Sequence, residues 1–86
     1  MKNPATHTSK NDMNEFTQII HDNWVNHSNK LFVRLRDGII VQPVFKPAED
    51  EYCNDAFYTE DYSFCWNLDG TNVTNSRFDM MEIISK

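Results

Sequence analysis

Two Asp-Gly pairs, Asp37-Gly38 and Asp69-Gly70, constrain this chain more than any other feature, because alternating apolar residues lie beside them. Such a pair supplies the positive-φ positions of a tight hairpin turn, so the chain on either side must run antiparallel. Before the first pair, Leu31, Val33 and Leu35 alternate with Phe32, Arg34 and Arg36. Residues 39–45 are expected to return as a second strand. A two-residue turn would set Leu35 opposite Ile40, Val33 opposite Gln42 and Leu31 opposite Val44. One face then carries Leu31, Val33, Leu35, Ile40 and Val44, with Gln42 out of place. Pro43 has no N–H for a ladder, so this strand is expected to be an edge, or bulged, at that point.

Ahead of the hairpin the period changes from two to about 3.6. Met13, Phe16, Ile19, Ile20 and Trp24 form one apolar stripe, which predicts an N-terminal amphipathic helix. Asp12 and Glu15 read as an acidic variant of a capping box. The asparagines at 23, 26 and 29 are poor helix formers and end it. Beyond the irregular stretch 47–61, residues 62–67 predict a strand with Tyr62, Phe64 and Trp66 on one face. Residues 71–74 and 78–84 predict two more. The last has apolar residues on both sides (Phe78, Met80 and Ile84; Met81 and Ile83), the pattern of a central strand. The expected fold is α+β: one helix packed on an antiparallel sheet of four or five strands. Residues 1–10 read as a flexible tail and 11–86 as a single domain.

At 86 residues the chain has a thin core and no mass for a cleft between domains. No apolar run approaches the about 20 residues a membrane helix needs. No apolar stretch follows Lys2, so no signal peptide is expected and the compartment reads as cytoplasmic. The triplets Asn26-His27-Ser28 and Asn72-Val73-Thr74 then carry no glycan. Cys53 and Cys65 are the only cysteines, and in a reducing compartment both are expected as free thiols.

Charge is distributed unevenly. The formal net charge is −5, yet residues 1–46 carry +2 and residues 47–76 carry −7, with no Lys or Arg among the latter. Six of those seven acids lie between positions 49 and 61, interleaved with Tyr52, Phe57, Tyr58 and Tyr62. An acidic run can serve solubility alone. The sharper reading is a partner-binding surface in which aromatic rings give contact area and carboxylates steer toward a basic protein. Its residues would be Glu49, Asp50, Glu51, Tyr52, Asp55, Phe57, Tyr58, Glu60 and Asp61. The expected partner is a protein whose basic surface handles nucleic acid. Direct nucleic-acid binding is disfavoured, since Tyr62, Phe64 and Trp66 have no phosphate-neutralising cations beside them. A second expectation is self-association through Phe32, Ile39, Val41 and Phe45, an apolar face turned away from the helix.

Signals for catalysis are sparse. His21, His27, Cys53 and Cys65 lack the spacing of a zinc site. The acidic run lacks the ordered spacing of a calcium loop, and there is no Gly-rich phosphate loop. A Cys–His nucleophile pair has no local support. The expectation is a non-enzymatic protein without metal or cofactor.

The segments Tyr62-Ser63-Phe64-Cys65-Trp66-Asn67-Leu68-Asp69-Gly70-Thr71 and Asn75-Ser76-Arg77-Phe78-Asp79-Met80-Met81-Glu82-Ile83 resemble the strand, Asp-Gly corner and closing strand of small accessory proteins of phages and prophages. Size and acidity also look like phage-encoded anti-defence proteins, anti-CRISPR proteins among them. That group shares no sequence motif, so no functional residue carries over. The resemblance implies a host-directed inhibitor that occludes a nucleic-acid-binding surface. The alternative is a small homo-oligomeric interaction module.

Overall fold

The computed structural model describes residues 12–50 and 54–84. The expected tail, together with Glu51, Tyr52 and Cys53, lies outside them. The architecture is α+β, but with two three-stranded antiparallel sheets instead of one sheet of four or five strands. One helix, α1 (Glu15–His27), is followed by β1 (Phe32–Leu35), β2 (Ile40–Val41), β3 (Val44–Lys46), β4 (Ala56–Tyr58), β5 (Cys65–Trp66) and β6 (Met80–Ile84). The first sheet runs β2-β1-β6 and the second β3-β4-β5. Among the described residues no helix is long and apolar enough to cross a membrane.

Pro43 explains the split. The expected strand over 39–45 is cut into β2 and β3 at Gln42-Pro43, and Pro43 is fully buried where the chain leaves one sheet for the other. A residue without an N–H cannot continue a ladder, so the sheet ends there.

The helix is capped by Asn14 and not by Asp12. The Asn14 side chain accepts from Thr17 N at 2.8 Å, and Thr17 Oγ1 accepts from Asn14 N at 3.0 Å. A hydroxyl oxygen serves at the third helical position as a Glu carboxylate would. The apolar stripe is narrower than expected: Ile20 is buried, while Ile19 is half exposed. Ser28 closes the helix in the left-handed region, at φ 53°.

Both Asp-Gly corners take in one residue more than a two-residue hairpin, the residue just before the Asp. Gly38 N donates to Leu35 O and Gly70 N to Asn67 O, and the only positive φ values in these corners are at the glycines, 99° and 92°. Each is a three-residue loop with glycine at its left-handed position. The first corner therefore pairs Val33 with Val41 and Arg34 with Ile40. A one-residue slip exchanges the faces of a strand. Val41 accordingly packs on the core and Ile40 points out, half exposed.

The two apolar sides of the last strand have a different cause from the one expected. β6 is an edge strand, with β1 at the centre. Arg34 pairs with Glu82 and Leu35 with Met80, so Met81 is an extra, bulged residue. The bulge shifts the alternation, and Met80 and Ile83 both reach the core while Met81 stays exposed.

The core is Ile20, Val33, Leu35, Phe57, Trp66, Leu68 and Met80, drawn from the helix and both sheets. Trp66 is fully buried and its indole N–H donates to Phe78 O at 2.7 Å, so its one polar atom is satisfied. Phe64 stacks on it. The expected strand over 62–67 shortens to Cys65–Trp66, and Tyr62 belongs to the turn before it.

Candidate interaction surface

Strands β3 and β4 pair Val44 with Tyr58, Phe45 with Phe57 and Lys46 with Ala56. Alternation then decides each side chain's face. Phe45 and Phe57 meet edge to face at 5.8 Å on the core side, and Phe57 has no exposed surface. Phe57, expected in the partner-binding set, is therefore a core residue. Lys46 and Tyr58 share the opposite, outer face.

The turn after β4 bends a further ring onto that face. Tyr62 N donates to Thr59 O at 2.8 Å, and Phe64 N donates to Thr59 Oγ1 at 3.0 Å. Tyr62 sits at φ 63°, where the two Asp-Gly corners place glycine. For a bulky residue that conformation costs about 1–2 kcal/mol. The residue is 63% exposed, so burial of the ring does not repay the cost. The Tyr62 ring meets Tyr58 edge to face at 5.5 Å. Lys46 Nζ donates to Tyr62 Oη at 3.2 Å and lies 5.3 Å from the ring centroid. The Tyr62 hydroxyl raises the Lys46 pKa above its ordinary value, with Glu49 a lesser cause. Glu49 Oε2 approaches Lys46 Nζ to 3.7 Å.

The carboxylates expected to form the surface lie at both ends of this face, and several close loops. Asp55 Oδ1 accepts from Ala48 N at 2.7 Å across the β3–β4 connection. Asp61 Oδ1 accepts from Ser63 N at 2.9 Å, and hydrogen bonds from Ser63 and Thr59 hold its pKa below the ordinary 3.8. Bonds from backbone amides fix a carboxylate without neutralising it. Glu60 is different: Lys30 Nζ reaches its Oε1 at 2.7 Å and ties the turn to the chain just before β1. Asp50 is exposed. Lys46 and Tyr62 are the two members of the site that sequence reasoning left out. Their meeting depends on the β3–β4 register and on the fold-back of the turn, and no local motif announces either.

The residues considered for other chemistry stand apart. His21 lies edge-on to Phe45 at 4.5 Å and its Nδ1 donates to Asp22 at 2.9 Å. Bonds from His21, and then Gln18, keep the Asp22 pKa low. Cys65 is a half-buried free thiol. Among the described residues no group of three or more His, Cys, Asp and Glu side chains could hold a metal ion.

Of the residues expected for self-association, Phe32 and Ile39 are exposed, but the register puts Phe32 on the side of Arg34 and Ile40 and Ile39 on the side of Leu35 and Val41. Val41 and Phe45 are turned to the core, by the one-residue corner shift and by the β3–β4 register. Fold and surface together define a small α+β domain of two sheets with a braced pair of tyrosines among carboxylates. Comparison with known protein families, with curated proteins and with solved structures found no match.

Proposed function

We propose that this chain is a non-enzymatic inhibitor or modulator that binds a protein through the outer face of β3 and β4 and the acidic loops beside it. Its target is a bacterial nucleic-acid-handling complex, a CRISPR or other defence assembly, and its source a phage acting in the bacterial cytoplasm. The observation that carries this reading is Tyr62, a large ring kept in water at a backbone conformation that disfavours it. Strain retained at an exposed aromatic is a mark of a contact residue. The carboxylates around it favour a basic partner and hasten encounter with one.

Capture from bacterial lysate, at low and then high salt, tests this. The chain is expected to retain nucleic-acid-binding proteins, to lose them as salt screens the charges, and to block their binding to DNA or RNA. A variant with Glu49, Asp50, Glu51, Glu60 and Asp61 all changed to Lys is expected to retain none of them. Equal capture by that variant, or captured proteins that still bind nucleic acid freely, would sink the reading.

A second reading rests on the outer face of the β2-β1-β6 sheet. Phe32 and Ile40 are exposed there beside the Arg34–Glu82 ion pair at 2.6 Å, and Arg36 meets Asp79 at 3.3 Å. This face is charge-balanced on a molecule of net charge −5, so two copies can meet on it without repulsion. Light scattering is expected to show concentration-dependent dimers that an Ile40→Lys change disperses. A monomer at millimolar concentration excludes the dimer.

A further inference from the structure

Lys46 occupies a site that has the chemistry of a cation receptor. Its ammonium lies at the hydroxyl end of the Tyr62 ring, within 3.7 Å of Glu49, and Tyr58 packs edge to face on Tyr62. Aromatic faces and a carboxylate together attract a cation from water. Lys46 is the strand residue that alternation happens to place there, and its side chain is 40% exposed.

An ammonium is a poor occupant of such a site. It is compact and strongly hydrated, whereas a guanidinium is planar, weakly hydrated, stacks on a ring and matches a carboxylate with two parallel bonds. We propose that Tyr62, Tyr58 and Glu49 form the receptor for an arginine side chain of the protein partner, with Lys46 as the stand-in that fills it in the free protein. This rests on the reading of the acidic face as a partner surface and adds the group recognised there. On binding, Lys46 swings into solvent, and the arginine takes its place between the ring and Glu49. A stand-in of this kind weakens casual binding of single cations.

The test uses oligo-arginine and oligo-lysine peptides of equal length as probes, read by nuclear magnetic resonance titration of the full chain at low salt. Oligo-arginine is expected to shift the ring resonances of Tyr62 and Tyr58 and to bind more tightly than oligo-lysine. Tyr62→Leu is expected to weaken oligo-arginine by about threefold to tenfold, and Tyr62→Phe, which keeps the ring, to retain it. Lys46→Met should strengthen oligo-arginine more than Arg34→Met, which makes the same change in net charge on the other sheet, away from the rings. Suppose oligo-arginine binds while the ring resonances of the native chain stay still, or Lys46→Met and Arg34→Met act alike. The arginine receptor is then overturned while the acidic surface stands. If neither peptide binds the native chain, both are overturned.

Discussion

Alanine at Phe57 is expected to lower the free energy of unfolding by about 3–5 kcal/mol, while alanine at Tyr62 leaves it within about 0.5 kcal/mol. The two rings sit close in sequence in the same acidic, aromatic stretch. Phe57 is fully buried, edge-on to Phe45, and its strand pairs with that of Trp66. Truncating it leaves a cavity at the junction of helix and second sheet, and a domain this small cannot refill it. Tyr62 gives up its contacts with Tyr58 and Lys46, but a smaller side chain at φ 63° is less strained. Urea unfolding followed by the fluorescence of buried Trp66 measures both variants. Small domains hold about 5–15 kcal/mol in all, so the Phe57 variant should be close to unfolding at room temperature. Similar small losses at both positions would mean that Phe57 does not belong to the core. The pair also separates stability from binding: Tyr62→Ala should stay folded and lose its partner.

The second large effect separates the two Asp-Gly corners. Gly70→Val is expected to cost about 3 kcal/mol or more, and Gly38→Val about 1–2 kcal/mol. Both glycines have a positive φ near 90–100°, so the backbone penalty is shared. Their surroundings differ. A Cβ at Gly38 would meet nothing within 4 Å, whereas at Gly70 it would stand 3.3 Å from the Thr17 methyl and 3.6 Å from Met80 Cβ. Gly70 is also where three elements lock together. Its carbonyl accepts from Met80 N at 2.9 Å, and the neighbouring Asp69 carbonyl accepts from the Asn14 cap at 3.2 Å. A branched side chain there pushes the helix start away from β6. Thermal unfolding should place the two variants about 4–16 °C apart. Equal melting temperatures would show that the second corner is as free as the first.

Much of this architecture is local and was legible in the residues. The helix follows from Phe16, Ile20 and Trp24 at helical spacing with asparagines behind them. The hairpins follow from the Asp-Gly pairs, and the confinement of the net negative charge to residues 47–76 needs only counting. Register was harder to read. Asp-Gly fits a two-residue turn and a three-residue loop equally well on sequence. The choice depends on which face of β2 is buried, a matter settled by its partners in β1 and the core. The same holds at Met81, whose bulge makes an edge strand look like a central one. Pro43 announced an interruption but not its outcome, since a bulge and a change of sheet need the same missing N–H.

The candidate surface divides in the same way. Sequence alone determined that carboxylates and aromatics share one stretch, that cations are absent from it, and that two glycine corners turn antiparallel strands. Those are properties of composition and of single-residue φ preference, which need no distant contact. Only the tertiary structure decided that Phe57 points inward and Tyr62 outward. It brought Lys46 between Tyr62 and Glu49, and it left one Asp-Gly corner in open solvent while sealing the other against Thr17 and Met80. These outcomes depend on pairing between segments far apart in the chain, where a one-residue change of register exchanges core for surface.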